Sequence, residues 1–350
     1  MMRRLRFLLP VLLLLLAAVA LVSCGDEASQ KLVRTDGGVE LKLNADGSSY
    51  SAVGLWKTDA TDVDIPYQYN DIPVTSIAAF AFNNCDSLVN VRIADGVRYI
   101  DEHAFDHCSN LMGVRLPDSM RGIGAYAFAN CEMLNYVGIE CFSELSTIED
   151  SAFENCASLH SFRVPDNLKS IGKNAFTGCG RLVEVYDLSE YVTVVQGEYE
   201  ENGGIGAHAV VIRTEEVESG ITLDDNGYFF FVCEKGSYLL DYIGFSNRLT
   251  LPTTCNGKSY GILPYAFYNK SSIQSVILPT AVTDIRERAF EGCTSLETVY
   301  YAGSQDNWRY VRIGERNTEL TSAKRYYYSS LPPTTIGSFW RYENGLLTVW

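Results

Sequence analysis

The chain has 350 residues, 47% hydrophobic and 20% charged, with a formal net charge of −15 at pH 7. That length and apolar content are enough for a sizeable buried core. The acidic balance repels phosphate backbones and anionic lipid headgroups, which argues against nucleic acid as a partner.

In chain order, the first predicted element is an export signal. Arg3, Arg4 and Arg6 precede an apolar run from Phe7 to Val22, the charged and hydrophobic regions of a secretory signal spanning 1–23. The segment L-V-S-C ending at Cys24 resembles a bacterial lipobox, which implies lipidation of Cys24 as the new N-terminus and a lipid-anchored, exported protein on a bacterial membrane. The alternative is an uncleaved anchor, since a run of about 16 residues is marginal for spanning a bilayer. Removing residues 1–23 takes away three Arg and lowers the net charge from −15 to −18. Residues 24–31 then form a tether of about 25 Å at full extension, so ordered structure should start close to the membrane.

Residues 32–62 read as an N-terminal β-hairpin cap around the D-G-S turn at Asp46, because alternating apolar residues flank a turn sequence. From 63 to 188 a pentad A-F-x-x-C recurs, with its Phe at Phe82, Phe105, Phe128, Phe153 and Phe176, and it returns at Phe267 and Phe290 in 249–301. The gaps within these two stretches are 23, 23, 25 and 23 residues, then 23. Such a period means stacked coils, each covering its neighbour's apolar face. Before each pentad lies L/I-x-x-V/F-x-I/L/V, usually closed by Pro, as in Leu111-x-x-Val114-x-Leu116-Pro117. Its alternation is that of a strand with one buried face, and Pro ends it by lacking an N–H. Asn or Gly mostly precedes the Cys, where a short helical turn should end at positive φ. The predicted fold is therefore a repeat solenoid of about 23 residues per coil, mainly β with short helical turns, in two arrays.

Residues 189–221 carry no repeat and are predicted to cap the first array or join it to the second, with Y-V-T-V-V and A-V-V-I-R as strands. A second β-hairpin cap is expected at 222–248 around Lys235-Gly236-Ser237, and a C-terminal cap at 302–328. Residues 329–350 read as a linker and a terminal hairpin turning at Asn344-Gly345. Trp340, Tyr342 and Trp350 should stack across that hairpin, which is too short to stand alone and must dock.

The stretches V-T-S-I-A-A-F-A-F-N-N-C, L-M-G-V-R-L-P-D-S-M-R-G-I-G-A-Y-A-F-A-N-C and S-I-Q-S-V-I-L-P-T-A-V-T-D-I-R-E-R-A-F-E-G-C resemble the BspA-type leucine-rich repeats of bacterial surface proteins. Y-Y-A-G-S-Q-D-N-W-R-Y-V-R-I-G, from Tyr300 to Gly314, resembles the closing segment of such arrays. The resemblance implies a solenoid displayed on the cell surface for adhesion, binding host matrix glycoproteins or other cells. Two other functions stay open: a glycan-binding module, for which 22 Tyr and 4 Trp supply stacking groups, and a structural envelope-assembly protein.

Ten cysteines in an exported chain suggest disulfides. Six of them share one repeat position (Cys85, Cys108, Cys131, Cys156, Cys179 and Cys293), with Lys270 breaking the series. A thiol repeated coil on coil reads better as a small core residue. Cys24 apart, only Cys141, Cys233 and Cys255 remain, and a Cys233–Cys255 bridge has no supporting pattern. His103 and His107 have metal-ligand spacing, but His107 takes the Asn/Gly position and Cys108 points inward, so no metal or other cofactor is expected. Gly204-Ile205-Gly206-x-x-Ala209 lacks the βαβ context of a dinucleotide site. Asp59, Asp62 and Asp64 lack the Gly and distal Glu of a calcium loop. No nucleophile or zinc-hydrolase motif appears, and no enzyme activity is expected.

The candidate binding residues are exposed positions in the strands. In L-x-x-V-x-L the residue between the last two apolar groups points away from the core. It is Arg92, Arg115, Gly138, Arg163 and Tyr186 in successive coils, then Ile277 and Tyr300 in the second array. With Tyr136 beside them, Arg92, Arg115, Arg163 and Tyr186 form a column predicted to face solvent and dock an acidic or sulfated ligand. The opposing expectation is ordinary solubilising charge.

Overall fold

The computed structural model of this protein describes residues 32–140 and 142–350. The signal segment, Cys24, the tether and Cys141 lie outside the described residues. No helix among those described is long and apolar enough to cross a membrane. The path is a β-solenoid of about 12 turns, near 23 residues each, with almost no helix.

Each coil has three sides. The first carries the L-x-x-V-x-L strands. Asp62–Ile65, Asn90–Ile93, Gly113–Arg115 and Tyr136–Gly138 form one parallel sheet. Ser161–Val164, Glu184–Asp187 and Val211–Arg213 form another. The second side stacks two-residue strands, Tyr99–Ile100, Gly122–Ile123, Thr147–Ile148 and Ser170–Ile171, whose Ile side chains turn inward. The A-F-x-x-C turns make the third side. They are closed by bonds from each N–H to the carbonyl three residues back, such as Cys108 to Phe105 at 3.2 Å, the spacing of a 3₁₀ turn. Alternate N–H groups point onward instead, as in Phe105 to Ala127 at 2.7 Å and His107 to Ala129 at 2.9 Å. Backbone groups on this side are thereby satisfied by the next coil.

That third side needs two left-handed residues per turn. Asn84, His107, Asn130, Asn155 and Asn269 have φ from 57° to 60°, with Gly178 and Gly292 at 83° and 81°. Four residues earlier, Phe80, His103, Tyr126, Ser151, Asn174, Tyr265 and Arg288 have φ from 55° to 64°, which sequence pattern did not anticipate because most are poor at this conformation. Stacking offsets part of the strain: Phe80, His103 and Tyr126 lie ring on ring at 4.9 and 4.7 Å.

The core is built from two ladders. Phe82, Phe105, Phe128, Phe153 and Phe176 stack at 4.9 to 5.3 Å with near-parallel rings, and Phe267 stacks on Phe290 at 4.7 Å. Beside them run the thiols of Cys108, Cys131, Cys156, Cys179 and Cys293, all free and buried. Cys233 and Cys255 are also free, so they form no bridge with each other.

Both arrays open with an antiparallel meander rather than a lone hairpin. Leu32–Arg34, Val39–Leu43 and Tyr50–Leu55 pair in order, and Tyr50–Leu55 then pairs parallel to Ile72–Ile77 to join the second side. Ile221–Leu223, Tyr228–Cys233 and Gly236–Tyr242 repeat this, joining Tyr260–Ile262. Y-V-T-V-V is not a strand; of the two expected in the connector, only Val211–Arg213 forms.

The second array continues past Tyr301. Lys324–Tyr328 pairs parallel to Thr298–Tyr301, Phe339–Glu343 pairs parallel to Lys324–Tyr328, and Leu346–Val349 closes antiparallel. Asn344 and Gly345 turn with φ of 51° and 78°. Trp340 is buried, and its indole N–H donates to the Tyr301 carbonyl at 2.9 Å, so the hairpin docks on the array. The onward ladder of the turns ends at side chains: Phe290 N–H donates to Asn317 Oδ1 at 2.9 Å and Gly292 N–H to Glu319 Oε1 at 2.8 Å. These two groups occupy the places that carbonyls of a further coil would take.

Candidate binding surface

The strand sheet of the first array leaves one face open. Its outward positions are read straight from the register, since side chains alternate. One row runs Asp64, Arg92, Arg115, Gly138, and the row beside it runs Asp62, Asn90, Gly113, Tyr136. Arg92 and Arg115 are therefore neighbours. Each turns to a carboxylate, Arg92 to Asp64 at 3.2 Å and Arg115 to Glu140 at 4.0 Å, with all four side chains well exposed. Asn90 Nδ2 donates to Asp62 Oδ1 at 2.9 Å. Gly138 interrupts the Arg series for a steric reason: a Cβ there would sit 2.8 Å from the Tyr136 hydroxyl. The missing side chain makes room for the Tyr136 ring, which is 58% exposed.

Two depressions meet on this face. One of about 320 Å³ is lined by Asp62, Asn90, Arg92, Gly113, Arg115 and Tyr136. The other, about 500 Å³, lies over the strand ends between Tyr67, Pro66, Ala94, Pro117 and Glu140. Arg92 and Arg115 line both.

The column does not extend as one line to Arg163 and Tyr186. Those residues belong to the separate three-stranded sheet. Arg163 pairs with Glu216 at 2.8 Å, donates to the Ile139 carbonyl at 2.7 Å and lies over the Tyr186 ring at 5.5 Å. Tyr186 is only 6% exposed and its hydroxyl donates to the Val217 carbonyl. The segment around Glu216 folds over this part of the column, so it is not a free surface. Nothing in the repeat pattern marks that segment, because it lies in the stretch without repeats. Asp64 and Glu140 are the residues that column reading missed; the central Asp of V-D-I-P at Asp64 was the available signal. In the second array the same column is Thr250, Ile277, Tyr300 and Tyr326, with the last two rings stacked at 5.3 Å.

His103 and His107 do not converge on a cavity. His103 hydrogen bonds the Asp106 carboxylate at 2.9 Å, His107 Nδ1 lies 2.7 Å from its other oxygen, and Asn130 donates to it as well. Among the described residues no cluster of His, Cys, Asp and Glu has metal-site geometry.

The two arrays meet at a buried ionic cluster. Asp241 Oδ1 lies 3.3 Å from Arg181 and its Oδ2 3.3 Å from His160 Nε2, with all three side chains nearly inaccessible. Arg181 also donates to the carbonyls of Ala157 and Tyr265. Burial pushes the Asp241 carboxyl upward, but Arg181 and His160 outweigh it and hold it below the usual range. An apolar cluster of Val183, Val210, Val211, Phe231, Leu240 and Leu263 adjoins it, with Phe229 packed on that cluster and 4.7 Å from the His160 ring.

Parallel strands stacked coil on coil, with Phe and Cys ladders inside, define a leucine-rich-repeat solenoid. The chain matches the family described as BspA type leucine rich repeat region, in six copies, over residues 60–198 and 245–310. That is more than half its length, and the chain belongs to this family. No curated protein matches it. Among solved structures, a leucine-rich repeat protein of T. pallidum is 29% identical, with a TM-score of 0.45 over 52% of this chain and 83% of its own. One from Bacteroides ovatus is 21% identical, with a TM-score of 0.41 over 83% of this chain and 70% of its own. A leucine rich cell surface protein of Faecalibacterium prausnitzii is 19% identical, with a TM-score of 0.30 over 81% and 98%.

Proposed function

We propose that this protein is an exported recognition protein, anchored through acylated Cys24 on a bacterial surface, that binds a protein or glycoprotein ligand for adhesion and performs no catalysis. The observation that carries this reading is the open face where Arg92, Arg115 and Tyr136 stand together above two depressions. Arg and Tyr are the side chains that most often dominate interfaces, and here they sit centrally on a regular sheet. The flanking Asp64 and Glu140 change the expected ligand. Two adjacent Arg flanked by a carboxylate on either side give the face both signs of charge, which suits the mixed charges of a polypeptide better than a polyanion.

The test is a screen of the purified protein on an array of matrix glycoproteins, followed by Arg92→Ser/Arg115→Ser/Tyr136→Ala on any protein it retains. Binding should fall at least tenfold with an unchanged thermal midpoint, and it should weaken as salt rises. Arg163→Ser should leave it intact. A triple variant that binds as wild type moves the site elsewhere on the solenoid.

A further inference from the structure

A second cleft lies on a different sheet, where the two arrays meet. On the short-strand side, the residue before each inward Ile or Leu points outward. In the first array this row is Ser76, Tyr99, Gly122, Thr147 and Ser170, with no charge. In the second array the same row is Tyr238, Gly261, Asp284 and Arg312. There it is overlaid by the connector, which brings Gln196, Tyr199 and His208 across it and encloses about 680 Å³. Lys235 fastens the connector, donating to Gln196 Oε1 at 3.0 Å and the Val210 carbonyl at 2.8 Å.

Two guanidiniums line this cleft. Asp284 takes Arg286 Nε on one oxygen at 3.3 Å and Arg312 Nε near the other at 3.5 Å. Arg286 also lies over the Tyr238 ring at 5.2 Å. The terminal nitrogens of both Arg hydrogen bond no described residue. Arg286, hydrogen bonded at its Nε, presents the outer edge of its planar fork to a bidentate acceptor, and the exposed Arg312 lies beside the same carboxylate.

Charge counting selects the acceptor. Lys235, Arg286 and Arg312 face Asp284 and Glu287 among the lining residues, a balance of one positive charge. Burial lowers the His208 pKa, which favours the uncharged imidazole. One net charge matches a monoanion rather than a phosphate dianion. The remaining walls, Tyr199, Tyr238, Leu263 and Ile313, suit the apolar face of a sugar ring. We infer that the cleft between the arrays binds a carboxylated sugar, a uronic acid residue of an acidic glycan, with its carboxylate between Arg286 and Arg312.

Saturation-transfer NMR and calorimetry with a glucuronate-containing disaccharide test this directly, with the carboxyl-reduced disaccharide as the neutral control. The expected result is binding by wild type, at least tenfold weaker binding to Arg312→Gln and to Arg286→Gln/Arg312→Gln, and no measurable binding of the neutral control. Arg312 is highly exposed, so its single variant should fold; an unchanged circular dichroism melt verifies this. Arg92→Ser/Arg115→Ser/Tyr136→Ala should bind the disaccharide normally, which separates this cleft from the surface proposed above. Absence of binding by wild type, equal binding by the Arg312 variant, or equal binding of the neutral control each overturns the assignment.

Discussion

The thiol of Cys131 donates to the carbonyl oxygen of Phe105, one coil earlier, at 3.2 Å. The same bond joins Cys108 to Phe82, Cys156 to Phe128, Cys179 to Phe153 and Cys293 to Phe267. The repeat position thus calls for a small apolar group that is also a donor, which explains Cys better than Ala or Val. It explains the exception too. Lys270 stands in the first coil of its array, where no earlier Phe carbonyl waits, and Cys85 in the first coil of the other array likewise lacks the bond.

These thiols should make the protein labile to alkali. Burial pushes Cys179 and Cys293 up to about 12 from an ordinary 9.0. Above pH 9 the unfolded chain ionises while the folded one keeps its protons, so stability should fall as pH rises toward 12. Each fully buried thiol contributes about 1.4 kcal/mol per pH unit at most. Denaturant titrations at pH 8, 9 and 10 should show a shallower decline for Cys179→Val than for wild type. Parallel slopes would mean that the thiol does not titrate differently in the two states.

Phe128 sits between Phe105 and Phe153 with no exposed surface. Phe128→Ala should cost about 3–5 kcal/mol through lost burial and a cavity that stacked coils cannot collapse. Arg121, an exposed partner of Glu144, serves as the control, and Arg121→Ala should melt close to wild type. Urea midpoints for the two variants settle the register of the pentad.

Breaking the junction from one side should be worse than removing it. Arg181→Leu takes the guanidinium from the buried Asp241 carboxylate and leaves it only the His160 ring as a side-chain partner, at a cost of about 3–5 kcal/mol. Arg181→Leu/Asp241→Leu should recover a large part of that loss, because no charge then stays stranded. A double-mutant cycle by chemical denaturation measures the coupling, and strict additivity would count against a direct pair.

If Cys24 carries the anchor, cells fed an alkyne fatty acid should label the wild-type protein. Cys24→Ala should be exported, unlabelled and recovered in the soluble fraction. Wild type that takes up no label would remove lipidation from the proposed function.

The repeat, its period and its inward residues were legible in the sequence, because each coil must bury the same face against the next and so repeats the same residue types. Phe82 to Phe176 and their Cys partners announce the core by spacing alone. The tertiary structure decided what becomes of the outward residues, whose partners come from other parts of the chain. Arg92 and Arg163 occupy the same repeat position, yet one pairs with Asp64 on an open face and the other is covered by Glu216, 53 residues further on. Asp241 looks like an ordinary strand residue until Arg181 and His160, from a different array, close around it. A local pattern records burial against a neighbour in the stack; it holds no record of contacts made where the stack is interrupted, and those contacts covered Arg163 and built the junction around Asp241.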